Sequence, residues 1–217
     1  MEISMKMNLP NKLTVIRLIV VPFFMAVMLL PVFTDWSSLT DSIISLVGAA
    51  LFIGAAVTDL LDGKIARREG LVTDFGKFLD PLADKFMVIG AMLCVFYSNS
   101  VAGNDAMSTI YFFALVIVVF RELAVTSIRL VASSSKGVVI AANILGKLKT
   151  VLQIVAISAA IIEPVLHKSL GYLFTMPQLL IDFPPITVIA TALMLYFTVH
   201  SGINYIVGAW KYLDHTK

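Results

Sequence analysis

Long apolar runs separated by short polar stretches dominate the pattern of this chain. Five of the six runs easily reach the roughly 20 apolar residues that a helix needs to cross a bilayer. The runs are Val15–Phe33, Ile43–Leu61, Asp80–Tyr97, Met107–Val131, Val138–Ile162 and Ile186–Val207. The third is long enough only if its helix includes Asp80 and Asp84, which would then lie near the membrane surface. The pattern predicts an all-α membrane protein with six transmembrane helices in a single domain, residues 1–217.

The amino terminus fits the same class of protein. No cleavable signal pattern precedes the first run, so we interpret that run as a true span. Before it, Ile3 and Met7 lie four residues apart beside Glu2 and Lys6. This spacing predicts a short interfacial helix within Met1–Leu9.

Composition excludes an ordinary soluble domain. Hydrophobic residues make up 59% of the 217 residues and charged residues only 14%, with a mean hydropathy of +0.94. Soluble domains are about 45–50% apolar. Because Cys94 is the single cysteine, an internal disulfide is excluded as well.

Charge distribution predicts the orientation in the membrane. Of the 16 lysines and arginines, all but Lys168 precede or open the first run, surround the second-to-third and fourth-to-fifth connections, or follow the sixth run. These connections share one side of a six-span protein, and positive charge marks the cytoplasmic side. The other connections carry acidic residues, namely Asp35, Asp41, Asp105, Glu163 and Asp182. Both termini and the second-to-third connection are therefore expected in the cytoplasm.

Four aspartates lie in or beside the second and third runs. Asp59 and Asp62 are three residues apart and Asp80 and Asp84 are four apart, so each pair lies on one face of a helix. Two helices joined by a short loop can direct all four carboxylates into one cavity, where they repel one another unless cations lie among them. Oxygen ligands favour Mg²⁺ or Mn²⁺, and two such ions form a site for phosphoryl transfer. The alternative is a set of structural ion pairs with neighbouring cations, namely Lys64, Arg67, Lys77 and Lys85.

The same stretch resembles the signature of the CDP-alcohol phosphotransferase family, D-x-x-D-G-x-x-A-R, eight residues, then G-x-x-x-D-x-x-x-D. Its fixed positions are filled by Asp59, Asp62, Gly63, Ala66, Arg67, Gly76, Asp80 and Asp84. The resemblance implies two divalent cations held by the four aspartates, with Asp84 also acting as general base. It further implies that Asp62, Gly63, Arg67 and Gly76 bind the nucleotide and its diphosphate.

A basic cluster follows in the fourth and fifth runs. Arg121 and Lys149 are far enough inside their predicted helices to act as anion ligands, and Lys147 and Arg129 are further candidates. Adjacent helix residues point apart, so Glu122 is not expected to neutralise Arg121. A phosphate on the acceptor alcohol would explain the cluster. The alternative, strongest for Arg129, is a rim that contacts anionic lipid.

Shorter motifs resemble the bacterial phosphatidylglycerophosphate synthases, a subgroup of the family. They are Asn8–Arg17 with Pro22, Arg121-Glu122 and Gly146–Thr150. This resemblance implies CDP-diacylglycerol as donor, glycerol 3-phosphate as acceptor, a bacterial plasma membrane with a cytoplasmic active site, and a homodimer that binds no nucleic acid. Inositol phosphate is an alternative acceptor. A cation-binding transporter is the alternative in another class, but the chain has neither the inverted repeats nor the paired broken helices typical of transporters.

Overall fold

The structure is a computed structural model that describes residues 9–34, 36–69, 73–136, 144–171 and 177–210. Within these ranges the regular structure is entirely helical, as predicted. The helices are α1 (Leu9–Phe33), α2 (Ser38–Glu69), α3 (Asp74–Val101), α4 (Asp105–Lys136), α5 (Ile144–Gly171), α6 (Gln178–Asp182) and α7 (Pro185–Trp210). The predicted interfacial helix over Met1–Leu9 lies outside the described residues, apart from Leu9.

Three of the long helices begin at a polar side chain that accepts a hydrogen bond from a backbone N–H group of the first turn. Ser37 Oγ accepts from Thr40 at 3.3 Å, and Asn104 Oδ1 accepts from Met107 at 3.1 Å. Thr73 Oγ1 accepts from Gly76 at 3.0 Å. Such caps satisfy donors that have no partner inside the helix. The caps fix where α2, α3 and α4 start, and the cap at Thr73 starts α3 before the aspartate pair.

The chain divides into two compact units, Met1–Cys94 and Val95–Lys217, with the division inside α3. The first unit contains α1, α2 and most of α3. Helix α1 packs against α2, with the rings of Phe24 and Phe52 5.7 Å apart. Gly90 allows α3 to approach α1, since a Cβ there would lie 2.7 Å from the sulfur of Met25. The prediction of a single domain remains a prediction.

In the second unit, α4 and α5 both pack against α7. Tyr111 is fully buried. Its hydroxyl donates to the carbonyl oxygen of Ala156 at 3.3 Å and lies 3.2 Å from Thr191 Oγ1. One side chain therefore links α4 to both α5 and α7.

Five stretches of the described residues are long and apolar enough to cross a membrane. They are Asn11–Phe33, Ser38–Asp59, Asp105–Val131, Leu145–Gly171 and Gln178–Trp210. Large apolar side chains such as Ile19, Phe23 and Phe120 are exposed on these helices, whereas polar ones such as Thr14 and Gln153 are buried. Exposed apolar faces of this extent are typical of membrane contact. The chain is an integral membrane protein whose regular structure is helical throughout the described ranges.

The end predicted for the fifth span is wrong. Helix α5 continues past Ile162 to Gly171, so Glu163 lies inside a helix rather than in a connection. The reason is that the buried Glu163 carboxylate finds hydrogen-bond donors on α7, namely the backbone N–H groups of Ile186 and Thr187. The predicted start of this span, residues 138–143, lies outside the described part of the chain.

Candidate active site

One face of α1 carries three buried polar residues, Asn11, Thr14 and Arg17. They are spaced three apart, so they follow one another along the same side of the helix. Within the first unit this polar stripe faces the carboxylates of α2 and α3. Two residues of this stripe, Thr14 and Arg17, donate hydrogen bonds to the aspartates of the candidate site.

Arg17 joins two of the four signature aspartates. Its Nη1 donates to Asp59 Oδ1 at 2.5 Å and to Asp84 Oδ1 at 3.3 Å. The Arg17 side chain is 1% exposed, whereas those of Asp59 and Asp84 are 25% and 47% exposed. The guanidinium is therefore enclosed, while the carboxylates that it binds remain open to a ligand.

Thr14 holds a third aspartate. Its hydroxyl donates to Asp80 Oδ1 at 2.6 Å, and Asp80 is exposed. Because Thr14 and Arg17 lie one helical turn apart, Asp59, Asp80 and Asp84 converge on a short stretch of α1. The structure thus brings together three of the four aspartates that the sequence singled out.

The remaining residues of the signature's first half lie on α2. Asp62, Gly63 and Arg67 fall within that helix, but their side chains lie outside the described residues. Asp59 and Asp62 share one continuous helix, as their spacing predicts.

Gly76 lies where a side chain would not fit. A Cβ at this position would approach Asn11 Oδ1 to 2.8 Å and Thr73 Oγ1 to 3.3 Å. Asn11 Nδ2 in turn donates to Thr73 Oγ1 at 2.9 Å. Glycine therefore lets the first turn of α3 pack directly against the polar stripe of α1.

The donor chemistry of the site suits a hard divalent cation. The converging ligand atoms are carboxylate oxygens, which Mg²⁺ and Mn²⁺ prefer. Among the residues whose side chains are described, no group of three His, Cys, Asp or Glu is arranged closely enough to hold a metal ion. The side chain of Asp62, the fourth aspartate of the signature, is not among these described side chains.

The second unit contains a charged cluster formed by Arg121, Glu122 and Lys149. Arg121 Nη1 donates to Glu122 Oε1 at 3.0 Å, and Lys149 Nζ donates to the same oxygen. Arg121 Nη2 also donates to Ser201 Oγ at 3.2 Å. The structure therefore brings Arg121 and Lys149 together from α4 and α5.

The expectation that Glu122 leaves Arg121 unneutralised is wrong. Adjacent helical residues do point apart at their Cβ atoms, but an arginine side chain is long enough to turn back to its neighbour. Arg121 is held there from the other side by α7, where a Cβ on Gly202 would lie 3.0 Å from Arg121 Cγ.

The other two basic candidates lie outside this cluster. Arg129 is exposed, with its Nε 3.5 Å from the Tyr205 hydroxyl and its guanidinium 5.8 Å from the Tyr205 ring centre. Lys147 is also exposed. The described contacts of Glu122 are with Arg121 and Lys149.

Sequence reasoning missed Arg17, Thr14 and Asn11 as parts of the aspartate site, and Glu122 as part of the basic cluster. From the sequence, Arg17 is interpreted as one of the positive charges that orient the protein and as part of the Asn8–Arg17 motif, not as a partner of the aspartates. A signal was present, since polar residues at a spacing of three interrupt an otherwise apolar helix.

Comparisons with known proteins place these observations in a family. The family model for CDP-alcohol phosphatidyltransferase matches residues 7–210. A CDP-diacylglycerol–glycerol-3-phosphate 3-phosphatidyltransferase of Bacillus subtilis (strain 168) is 39% identical over 95% of this chain and 97% of its own length. Proteins of the same name are 32% identical in Escherichia coli (strain K12), over 94% of this chain and 96% of theirs, and 37% identical in Wigglesworthia glossinidia brevipalpis, over 70% and 76%.

Proposed function

The chain belongs to the CDP-alcohol phosphatidyltransferase family, and from this premise we propose that it transfers a phosphatidyl group from CDP-diacylglycerol to sn-glycerol 3-phosphate. The products are phosphatidylglycerophosphate and CMP, so the protein is a membrane transferase of phospholipid biosynthesis. The names of its relatives in Bacillus subtilis and Escherichia coli support this reaction. The observation that carries the proposal is the convergence of Asp59, Asp80 and Asp84 on α1.

Asp59, Asp62, Asp80 and Asp84 would hold two divalent cations, Mg²⁺ or Mn²⁺. When bound, these ions supply positive charge that offsets the diphosphate of the donor and the charge that develops during transfer. The carboxylate chemistry of the site supports this assignment, as does the exposure of Asp59 and Asp84.

The donor nucleotide is assigned to the α2 end of the signature. Asp62 and Gly63 would contact the nucleotide, and Gly76 would border the same cavity. Arg67 would bind the diphosphate, because a planar guanidinium matches two phosphate oxygens at once. The placement of Asp62, Gly63 and Arg67 on one helix with Asp59 supports this arrangement.

Asp84 would accept the proton of the acceptor hydroxyl. The freed oxygen attacks the phosphorus that bears diacylglycerol, and the bond from that phosphorus to the CMP oxygen breaks. The Asp84 side chain is 47% exposed, which supports access by an acceptor. Its Oδ1 accepts a hydrogen bond from Arg17, which restricts how the carboxylate can turn.

The phosphate of the acceptor is assigned to Arg121 and Lys149. Their approach to a single carboxylate oxygen, Glu122 Oε1, supports this assignment, because it brings the two cations to one anionic acceptor and a phosphate oxygen is also an anionic acceptor. Lys147 and Arg129 would contribute attraction at longer range. This second contact would distinguish glycerol 3-phosphate from an alcohol without a phosphate.

The topology proposed for this function has six spans, with α3 as the third. Both termini and the aspartate site would face the cytoplasm of a bacterial cell. There the nucleotide-linked donor and the soluble acceptor are both within reach. We further propose a homodimer in the plasma membrane.

The test is CMP release by the purified protein supplied with CDP-diacylglycerol, Mg²⁺ or Mn²⁺, and each of several acceptors in turn. The expected result is release with glycerol 3-phosphate. Release with inositol phosphate and none with glycerol 3-phosphate would replace the acceptor and keep the reaction. No release with any acceptor, together with metal-dependent cation flux in vesicles, would favour the transporter.

A further inference from the structure

Arg17 is a buried charge that contacts the proposed metal ligands but binds neither substrate in the proposed function. Arg17 is 2% exposed and lies in α1, a helix that contributes nothing to the family signature. A buried arginine is expensive unless carboxylates compensate it. Here two compensating carboxylates are Asp59 and Asp84, from two different helices.

We propose that Arg17 is a built-in counter-ion that positions Asp59 and Asp84 in the metal-free protein and competes with the divalent cations for them. The inference rests on the proposed function, since it takes the aspartates to be the metal ligands. It adds a residue outside the signature that determines how strongly the site binds metal.

The competition follows from charge and from shared carboxylates. Arg17 binds one oxygen each of Asp59 and Asp84, the carboxylates to which the proposed function assigns the cations. A fixed positive charge at hydrogen-bonding distance from these oxygens repels an arriving divalent ion. Replacing Arg17 with a neutral residue should therefore tighten metal binding.

The positioning role predicts that Arg17 stabilises the metal-free protein, although it weakens metal binding. Without Arg17 and without metal, Asp59 and Asp84 would lose a shared cation and repel each other. The metal-free protein should then be less stable, and bound metal should restore the loss. If the role of Arg17 were purely structural, removing it would lower stability whether or not metal is bound.

The experiment measures Mn²⁺ binding to the full chain in detergent micelles by the electron paramagnetic resonance signal of free Mn²⁺, and thermal unfolding with and without Mn²⁺. A neighbouring charge changes a carboxylate's proton affinity about tenfold or more, and a shift of at least about that size is expected for Mn²⁺. Arg17→Gln should bind Mn²⁺ at least about tenfold more tightly than wild type. It should unfold at a lower temperature than wild type in the absence of Mn²⁺, and at the same temperature when Mn²⁺ is bound.

Lys12→Gln is the matched control. It removes the same charge from the same helix at an exposed position, where solvent and salt screen the effect. Its Mn²⁺ affinity should stay within about twofold of wild type. Arg17→Lys keeps the charge without the planar fork, and its affinity should stay within about threefold of wild type.

The outcomes separate the two proposals. If wild type binds no Mn²⁺, the metal site of the proposed function is wrong, and the counter-ion role fails with it. If wild type binds Mn²⁺ and Arg17→Gln binds it equally or more weakly, only the role of Arg17 is overturned. Failure of Arg17→Gln to fold in saturating Mn²⁺, or a tenfold change in Arg17→Lys, would overturn that role as well.

Discussion

Three charged side chains are buried among the described residues, Arg17, Lys149 and Glu163. Each is compensated by partners on other helices. Arg17 binds two aspartates, Lys149 binds Glu122, and Glu163 accepts from the backbone of α7. Burying an ion without such partners is costly, so these contacts are required wherever the charges occur.

The cluster around Glu122 makes a prediction about acceptor binding. Arg121→Ala and Lys149→Ala should each raise the KM for glycerol 3-phosphate and leave the KM for CDP-diacylglycerol nearly unchanged. A hydrogen bond to a charged group contributes about 1.5–3 kcal/mol, which corresponds to roughly ten- to a hundredfold in binding. Steady-state kinetics with each substrate varied in turn measures the effect.

Two further variants serve as controls for that prediction. Arg121→Lys should rescue only partly, because an ammonium cannot reproduce the fork of a guanidinium. Arg67→Ala should instead raise the KM for CDP-diacylglycerol and leave the KM for glycerol 3-phosphate nearly unchanged. If both alanine variants keep the acceptor dependence of wild type, the cluster has no part in acceptor binding.

At this scale the sequence predicted the carboxylates better than their partners. The spacing of Asp80 and Asp84, and the position of Asp59 on the preceding helix, followed from helical periodicity and a short loop. Arg17 could not be assigned in this way, because its partners lie on helices distant in sequence. Glu122 was misjudged because a rule about Cβ directions does not describe the reach of a long side chain.

At the scale of helices, the positions of the ends depend on individual hydrogen bonds. The apolar runs predicted that long helices exist, but α2, α3 and α4 begin before their runs, directly after the capping residues Ser37, Thr73 and Asn104. Ser37, Thr73 and Asn104 are recognisable in the sequence as capping residues. The extension of α5 was not recognisable, because it depends on a contact between Glu163 and a helix more than twenty residues later.

Glu163 therefore gives a prediction about stability. Its carboxylate accepts the N–H of Ile186 at 3.0 Å, and the N–H and hydroxyl of Thr187 at 2.6 and 2.8 Å. Glu163→Ala should lower the free energy of unfolding by about 1–3 kcal/mol, because it leaves buried donors at the start of α7 without an acceptor. Equilibrium unfolding in mixed detergent micelles measures the loss.

Glu163→Gln is the matched variant. An amide oxygen can still accept from α7, so its loss should be smaller than that of alanine. Equal stability of Glu163→Ala and wild type would show that the contact does not hold α7 in place.

At the scale of the whole molecule, the family model spans residues 7–210 and so covers both compact units. The membrane class followed from composition alone, since 59% of the residues are hydrophobic. Composition does not establish that α3 crosses the membrane. Charged residues occupy the first half of this helix, and it is absent from the five apolar stretches. The main prediction about topology is therefore that α3 crosses the membrane.

Cysteine labelling tests that topology. In a Cys94→Ser background, single cysteines at Ser37 and Ala102 should both react with a membrane-impermeant maleimide on intact cells. A cysteine at Lys12 should react only after permeabilisation. All three positions are exposed, so burial does not limit the reaction. If α3 does not cross the membrane, the cysteine at Ala102 will be protected in intact cells while the one at Ser37 reacts.

The most direct test of the central claim is the rate at which purified protein forms phosphatidylglycerophosphate from CDP-diacylglycerol and glycerol 3-phosphate. Wild type should turn over only with Mg²⁺ or Mn²⁺. Asp59→Asn, Asp80→Asn and Asp84→Asn should each abolish the reaction, because each removes a charge that the site needs. Asp105→Asn, at an exposed position in the first turn of α4, should keep the rate of wild type. No product from wild type, or near-normal rates in any of the three site variants, would contradict the account.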